Sequence, residues 1–285
     1  MAVKDTIFSK KRGMNISGQL IDLTIPKIMA IVNVTPDSFY KGSRSEDIEI
    51  ILKNVKKHID DGADIVDVGA YSSRPGAENI PESAEKERLK NVFYAIRKTF
   101  PNAILSIDTF RASVAEWAVG EFGVGLVNDI SGGKLDENMI PTIARIRVPY
   151  VLMHMRGNPQ NMQSQSEYKN VTKEVIKELS LQIEILHRYG IPDIIIDPGF
   201  GFSKTIDQNY QLLRDLYMFK IFEKPILVGL SRKSMIYKVL NSTPEESLIG
   251  TAVLNTVALL NGANILRVHD VKETIEVIKI AQKCK

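Results

Sequence analysis

Eight short apolar, β-type runs alternate with stretches of helical spacing, and this count predicts a TIM (β/α)8 barrel, a single domain over residues 1–285. Two further observations support that class. Several runs end in a polar group, as Ile194-Ile195-Ile196 does in Asp197, which is how parallel α/β proteins present chemistry at strand C-termini. The turn after the first run holds Asn33-Val34-Thr35-Pro36-Asp37 rather than the Gly-rich turn of an open doubly wound sheet.

Residues 14–25 alternate around Ser17-Gly18 and read as a β-hairpin closing the bottom of the barrel. Strands are expected at 28–32, 65–68, 103–107, 124–127, 150–153, 194–196, 226–229 and 264–268. β-Branched runs of this kind suit strands buried on both faces. Ile48, Ile51, Leu52, Val55 and Ile59 keep helical spacing after the first strand, and Val171, Val175, Leu179, Ile183 and Leu186 do so before the sixth. Other helices are expected at 82–99, 111–119, 138–146, near 207–219, across 232–261, and through Val271, Ile275 and Ile278 at the close.

Hydrophobic content of 44% and charged content of 25% describe an ordinary soluble globular chain. A net charge of +3 is too small to argue for nucleic acid, so any anion site must be built locally. The single Cys284 excludes a disulfide framework within the chain. The start has no apolar core of signal-peptide length, and no apolar run reaches a membrane span. A cytoplasmic protein with small-molecule substrates is the expectation.

Asp197, Asp108 and Asn128 would sit on three strand tips facing one cavity, where carboxylates can accept paired hydrogen bonds from a flat heterocycle with an amidine-like edge. The plain alternative is that such acids cap the following helices. Ser231-Arg232-Lys233-Ser234 follows a strand and opens a helix; Lys233 suits a carbonyl oxygen and Ser234 a carboxylate, against the bland reading of a solvated basic turn. Arg267 and His269 alternate with Val268, so both point one way and suit phosphate oxygens. Loops 34–45 and 69–81 are long enough for lids. Gly199–Lys204 matches neither nucleotide-loop spacing, so nucleotide binding is discounted.

Taken together, Asn33-Val-Thr-Pro-Asp-Ser-Phe39, Ser72-Ser-Arg-Pro-Gly-Ala77, Ser106-Ile-Asp-Thr109, Asn128-Asp-Ile-Ser-Gly-Gly133, Val151-Leu-Met-His-Met155, Asp197-Pro-Gly-Phe-Gly-Phe202, Gly229-Leu-Ser-Arg-Lys-Ser234 and Arg267-Val-His-Asp270 resemble the dihydropteroate synthases. The resemblance covers about residues 28–280, and eight pieces in order are specific where none is alone. It implies a folate-pathway barrel joining 6-hydroxymethyl-7,8-dihydropterin diphosphate to p-aminobenzoate, with Mg²⁺, in a homodimer that needs neither nucleic acid nor membrane. Carried over by position, Asp108, Asn128, Met153, Asp197 and Lys233 meet the pterin. Asn33, Arg267 and His269 meet the diphosphate, with Asn33 also touching the metal. Ser73, Arg74, Pro75, Phe200 and Ser234 form the p-aminobenzoate side, where sulfonamides compete. The resemblance gives catalytic parts to Asp108, Lys233, Arg74 and Asp37, the last sharing a mobile first loop with Phe39. Tyr71 stands where the family commonly has Glu, Ser73 where it has Thr, Lys41 where Asp is frequent, and Ser203 where Gly is frequent.

Two rivals differ in what they require. Methyltetrahydrofolate methyltransferases share a pterin-binding barrel but should not need the two long loops or the Arg267/His269 anion pair. A non-catalytic pterin-binding paralogue should have lost the anion site or the loop acids.

Overall fold

The computed structural model describes residues 13–34, 44–72 and 79–284. A hairpin of β1 (Gly13–Ile16) and β2 (Gln19–Asp22) precedes the barrel and turns at Ser17-Gly18, where it was expected. The barrel strands are β3 (Lys27–Asn33), β4 (Ile65–Gly69), β5 (Leu105–Asp108), β6 (Leu126–Asp129), β7 (Tyr150–Met153), β8 (Ile194–Asp197), β9 (Leu227–Val228) and β10 (Ile265–Val268). All pairings between them are parallel, in the order β8-β7-β6-β5-β4-β3-β10-β9. A parallel bridge between Ile196 and Ile226 brings the ends together, with the Ile196 N–H donating to the Pro225 carbonyl at 2.8 Å. The TIM-barrel expectation is met.

Helices α1 (Arg44–Asp60), α2 (Glu82–Thr99), α3 (Ala112–Phe122), α4 (Met139–Ile146), α5 (Val171–Arg188) and α6 (Ile206–Arg214) follow the first six barrel strands in turn. The helix expected near 207–219 stops at Arg214 and continues as a 3-10 segment, Leu216–Phe222. The 232–261 stretch divides into α7 (Ser234–Tyr237) and α8 (Leu248–Leu260), because Asn241-Ser242-Thr243-Pro244 interrupts helical spacing. Strand 226–229 is only Leu227–Val228, and α9 (Val271–Lys283) closes the chain's described part.

Period-two alternation sorts the barrel side chains. Outward residues such as Ile28, Val66, Ile107, Val127, Ile196 and Val268 pack with the helices in the main core. Inward, each strand, or for β5 the residue just before it, contributes one apolar side chain to a floor: Met29, Ile65, Ile104, Leu126, Val151, Ile195, Leu227 and Ile265. Met14, Ile16 and Leu23 of the hairpin segment pack against that floor, so the hairpin does plug the bottom. Two residues onward the same inward face changes character, to Asp67, Ser106, Asn128, Met153, Asp197 and Arg267 among others. The floor excludes water from below and leaves the polar groups above it facing one mouth.

Candidate active site

The polar level is a charge network. Arg267 on β10 donates from Nε to Asp67 Oδ2 at 2.7 Å and from a terminal nitrogen to Asp108 Oδ2 at 2.6 Å. Asn128 Nδ2 donates to the same Asp67 oxygen at 2.9 Å, which turns the amide oxygen away from Asp67. Asp67 is fully buried, and its Oδ1 has no hydrogen-bond partner among the described residues. The neighbouring Ser106 Oγ, in register with Asp67 on β5, has none either. Buried polar atoms of this kind carry a cost unless something satisfies them, so the pair marks a place where a ligand or water belongs.

Asp108 sits one level higher, at the mouth, with its side chain 19% exposed. Gly69 lies beside it in register, and a Cβ there would come within 3.0 Å of the Asp108 Cβ. Burial pushes the Asp108 carboxyl up to about 7, against the opposing pull of Arg267 and with further upward push from Asp67 and Glu85. Burial likewise raises Asp197, with Lys233 opposing. The Gly199 N–H donates to Asp197 Oδ1 at 2.7 Å, which still leaves each carboxylate oxygen a free lone pair. Lys233 donates to the Phe200 carbonyl and lies 4.8 Å from the centre of the Phe202 ring. Burial brings its ammonium down to about 8, opposed by Asp197.

An apolar wall completes the mouth: Met153 clusters with Ile130, Met155 and Met162, and Phe110, Leu135 and Phe202 pack against them. His269 Nδ1 is 3.0 Å from Ser231 Oγ, beside the strand end that carries Arg267. Asn33 ends β3 at the rim, and Ser234 opens α7 next to Lys233. Arg232 is taken up by Asp270, through bonds of 3.1 and 2.6 Å, and so is a structural residue.

Expectations met these facts unevenly. Asp108, Asn128, Met153, Asp197, Lys233 and Arg267 come together at one mouth. Phe200 does not present its ring there: that side chain is fully buried in the main core, and only its carbonyl reaches Lys233. Asp37, Phe39, Lys41, Ser73, Arg74 and Pro75 lie outside the described residues. Asp129, next to Asn128, points away from the mouth; it accepts from the Tyr150 hydroxyl at 2.6 Å and from the N–H groups of Ser131 and Gly133. Ser203 adopts a left-handed φ of 46°, and its hydroxyl accepts from the Arg156 N–H at 3.0 Å. Tyr71 stacks edge-on against Phe110 at 4.9 Å and receives a bond from Gln160 at 3.0 Å.

Three residues of the site escaped sequence reasoning. Asp67 sits mid-strand rather than at a tip, yet counting by twos from Ile65 would have put it on the inward face. Phe202 and Lys204 lie in a loop whose composition carries no such signal.

Residues 29–269 match the model of the pterin binding enzymes. The dihydropteroate synthase of Clostridium beijerinckii is 42% identical over 256 residues, covering 89% of this chain and 92% of that protein. The chain belongs to the dihydropteroate synthase family. These are transferases of folate biosynthesis. Among solved members, Yersinia pestis dihydropteroate synthase in a sulfonamide drug complex superposes with a TM-score of 0.88 at 36% identity, covering 95% of this chain and 98% of that one. The Xanthomonas albilineans dihydropteroate synthase in complex with 7,8-dihydropteroate gives 0.85 at 32% identity, with the same coverage.

Proposed function

We propose that the polar level of this barrel seats the pterin of 6-hydroxymethyl-7,8-dihydropterin diphosphate, and that the chain joins it to p-aminobenzoate by a dissociative substitution. The products are 7,8-dihydropteroate and pyrophosphate. The observation that carries this reading is the convergence of Asp108, Asn128 and Asp197, from three strands, with Lys233 and Arg267 above an apolar floor.

In this reading Asp197 accepts from the 2-amino and 3-NH edge of the ring, the Asn128 oxygen adds an acceptor, and Lys233 donates to the ring carbonyl or a ring nitrogen. Met153 and its apolar neighbours cover a ring face. Arg267 and His269, with Asn33 at the rim, receive the diphosphate. The bond between the pterin methylene carbon and the diphosphate oxygen breaks first, and its electron pair leaves with pyrophosphate. Asp108, as carboxylate, steadies the positive charge left on the pterin. The p-aminobenzoate nitrogen then bonds to the methylene and gives up a proton. Ser73, Arg74, Pro75 and Ser234 form the p-aminobenzoate side, Asp37 takes its part from the first loop, and sulfonamides compete there.

Asn33 fits a role in holding Mg²⁺. Among the described residues no cluster of three His, Cys, Asp or Glu could bind a metal, but Mg²⁺ commonly takes one or two protein oxygens plus substrate phosphates and waters. When bound it would neutralise diphosphate charge.

The function is tested by mixing the chain with pterin diphosphate, Mg²⁺ and ring-substituted p-aminobenzoates that span a wide range of amine basicity. Dihydropteroate products and pyrophosphate should form, and single-turnover rates at saturating amine should depend only weakly on basicity. No product would end the functional reading, and a steep dependence would end the dissociative one.

The homodimer belongs to this proposal, and α8 supports it. Leu248–Leu260 contains no charged residue, and Ile249, Val253 and Leu260 are exposed, with Val239 and Leu240 exposed nearby. We expect Val253→Glu to convert a dimer to monomer in sedimentation velocity. A species of unchanged mass would take α8 out of the interface.

A further inference from the structure

Lys204 has no direct part with substrate in that reading, yet it is 4% exposed. Its ammonium meets three acceptors: the carbonyl oxygens of Gly199 at 2.9 Å and Phe202 at 3.0 Å, and Nδ1 of His154 at 3.1 Å. An ammonium has three N–H donors, so each acceptor takes one. The histidine is set from its far side. Its Nε2 lies 3.0 Å from Glu178 Oε2, and an ionised carboxylate can only accept. The ring proton therefore sits on Nε2, and Nδ1 is left to accept from Lys204.

Glu178 is itself held by Arg156, whose Nε donates to Oε1 at 2.9 Å. Burial works against the Glu178 charge, but bonds from His154 and Arg156 hold its carboxyl at about 2. Burial and the nearby Lys204 charge bring His154 down to about 3, so the ring is neutral. The charges facing Lys204 are Asp197 and Glu178, which favour its ammonium, and Lys233 and Arg156, which oppose it; burial lowers it to about 7.

The three acceptors belong to two segments, one after β7 and one after β8. Gly199 shows how tightly these are pressed together: its φ is +72°, and a Cβ there would fall 1.9 Å from the His154 carbonyl oxygen. A turn so placed cannot be held by side-chain packing on Gly199 itself. The 199–202 turn carries both features that set Lys233, the Phe200 carbonyl it donates to and the Phe202 ring beneath its ammonium.

We propose that Lys204 is a positioning residue for the pterin substrate: oriented through Glu178 and His154, its ammonium holds the 199–202 turn in the shape that aims Lys233 into the seat. This role rests on reading the pocket as a pterin site. It predicts a selective defect, since the relay's contacts among the described residues lead to Lys233 of the pterin seat.

In steady-state kinetics and calorimetry, Lys204→Met should raise KM and Kd for pterin diphosphate about tenfold or more, with KM for p-aminobenzoate within about twofold. In Lys204→Ala, added ethylammonium should restore part of the pterin affinity. Wild-type-like pterin binding in Lys204→Met, or equal losses for both substrates without amine rescue, would overturn the role. Should the Lys204 variants fail to fold, Glu178→Gln decides. It should weaken pterin binding in the same selective way, and unchanged pterin binding would overturn the role. A wild-type protein that binds no pterin diphosphate would instead overturn the reading of the seat.

Discussion

Asp197→Asn is expected to weaken pterin binding roughly ten- to hundredfold, the equivalent of about 1–3 kcal/mol. The carboxylate lies at the C-terminal end of β8, 6% exposed, with one oxygen already receiving the Gly199 N–H. An amide of the same shape would keep that bond and would replace an acceptor by a donor on the side facing the ring. Two donors would then oppose each other in a buried place, where neither can turn to water. Titration calorimetry with the hydroxymethyl pterin checks this without involving the diphosphate. Affinity equal to wild type would remove Asp197 from the seat.

Arg267→Ala should be the most damaging change in the barrel. Its guanidinium is shared between Asp67 and Asp108, so truncation strands two carboxylates above an apolar floor. Removing one partner of such a pair typically costs about 3–5 kcal/mol. The sign of the pH dependence follows from Asp108. Its folded-state carboxyl is already raised to about 7, with Arg267 as the first charge opposing that rise. Without the arginine it rises further, so the folded state holds its proton over a wider range than the unfolded chain does. The penalty should be least near the unfolded carboxylate's range and grow as pH rises through neutrality. Urea melts of wild type and variant at pH 5 and pH 8 would show the stability gap widening. The same variant should lose pterin diphosphate binding more than binding of the bare pterin; a gap constant with pH and equal ligand losses would assign Arg267 a purely structural part.

What could be read in the sequence followed from strong local signals. The barrel strands are β-branched runs bounded by turn residues, and the inward carboxylate at 197 stands at the point where such a run meets Pro198-Gly199. Asp67 was passed over because its strand continues through Val68 to Gly69, so the acid looks internal. Its importance appears only when β4 is placed beside β5 and β10, which are distant in the chain. Phe200 shows the opposite failure: an aromatic in the right loop whose ring faces the core, because alternation around a turn of left-handed glycines cannot be counted as in a strand. Lys204 was unreadable for a related reason. Its three acceptors include two backbone carbonyls, and no residue pattern announces where carbonyls will converge.

We propose that the inward polar level seats the pterin, with the anion end of the seat at β3 and β10. A crystal of the chain with pterin diphosphate and Mg²⁺ tests it most directly. We expect the 2-amino edge of the ring within hydrogen-bond distance of Asp197, the ring beside Asn128 and Met153, and the diphosphate toward Asn33, Arg267 and His269. A ring lying outside the barrel mouth, or one reversed so that the diphosphate points at Asp197, would contradict it.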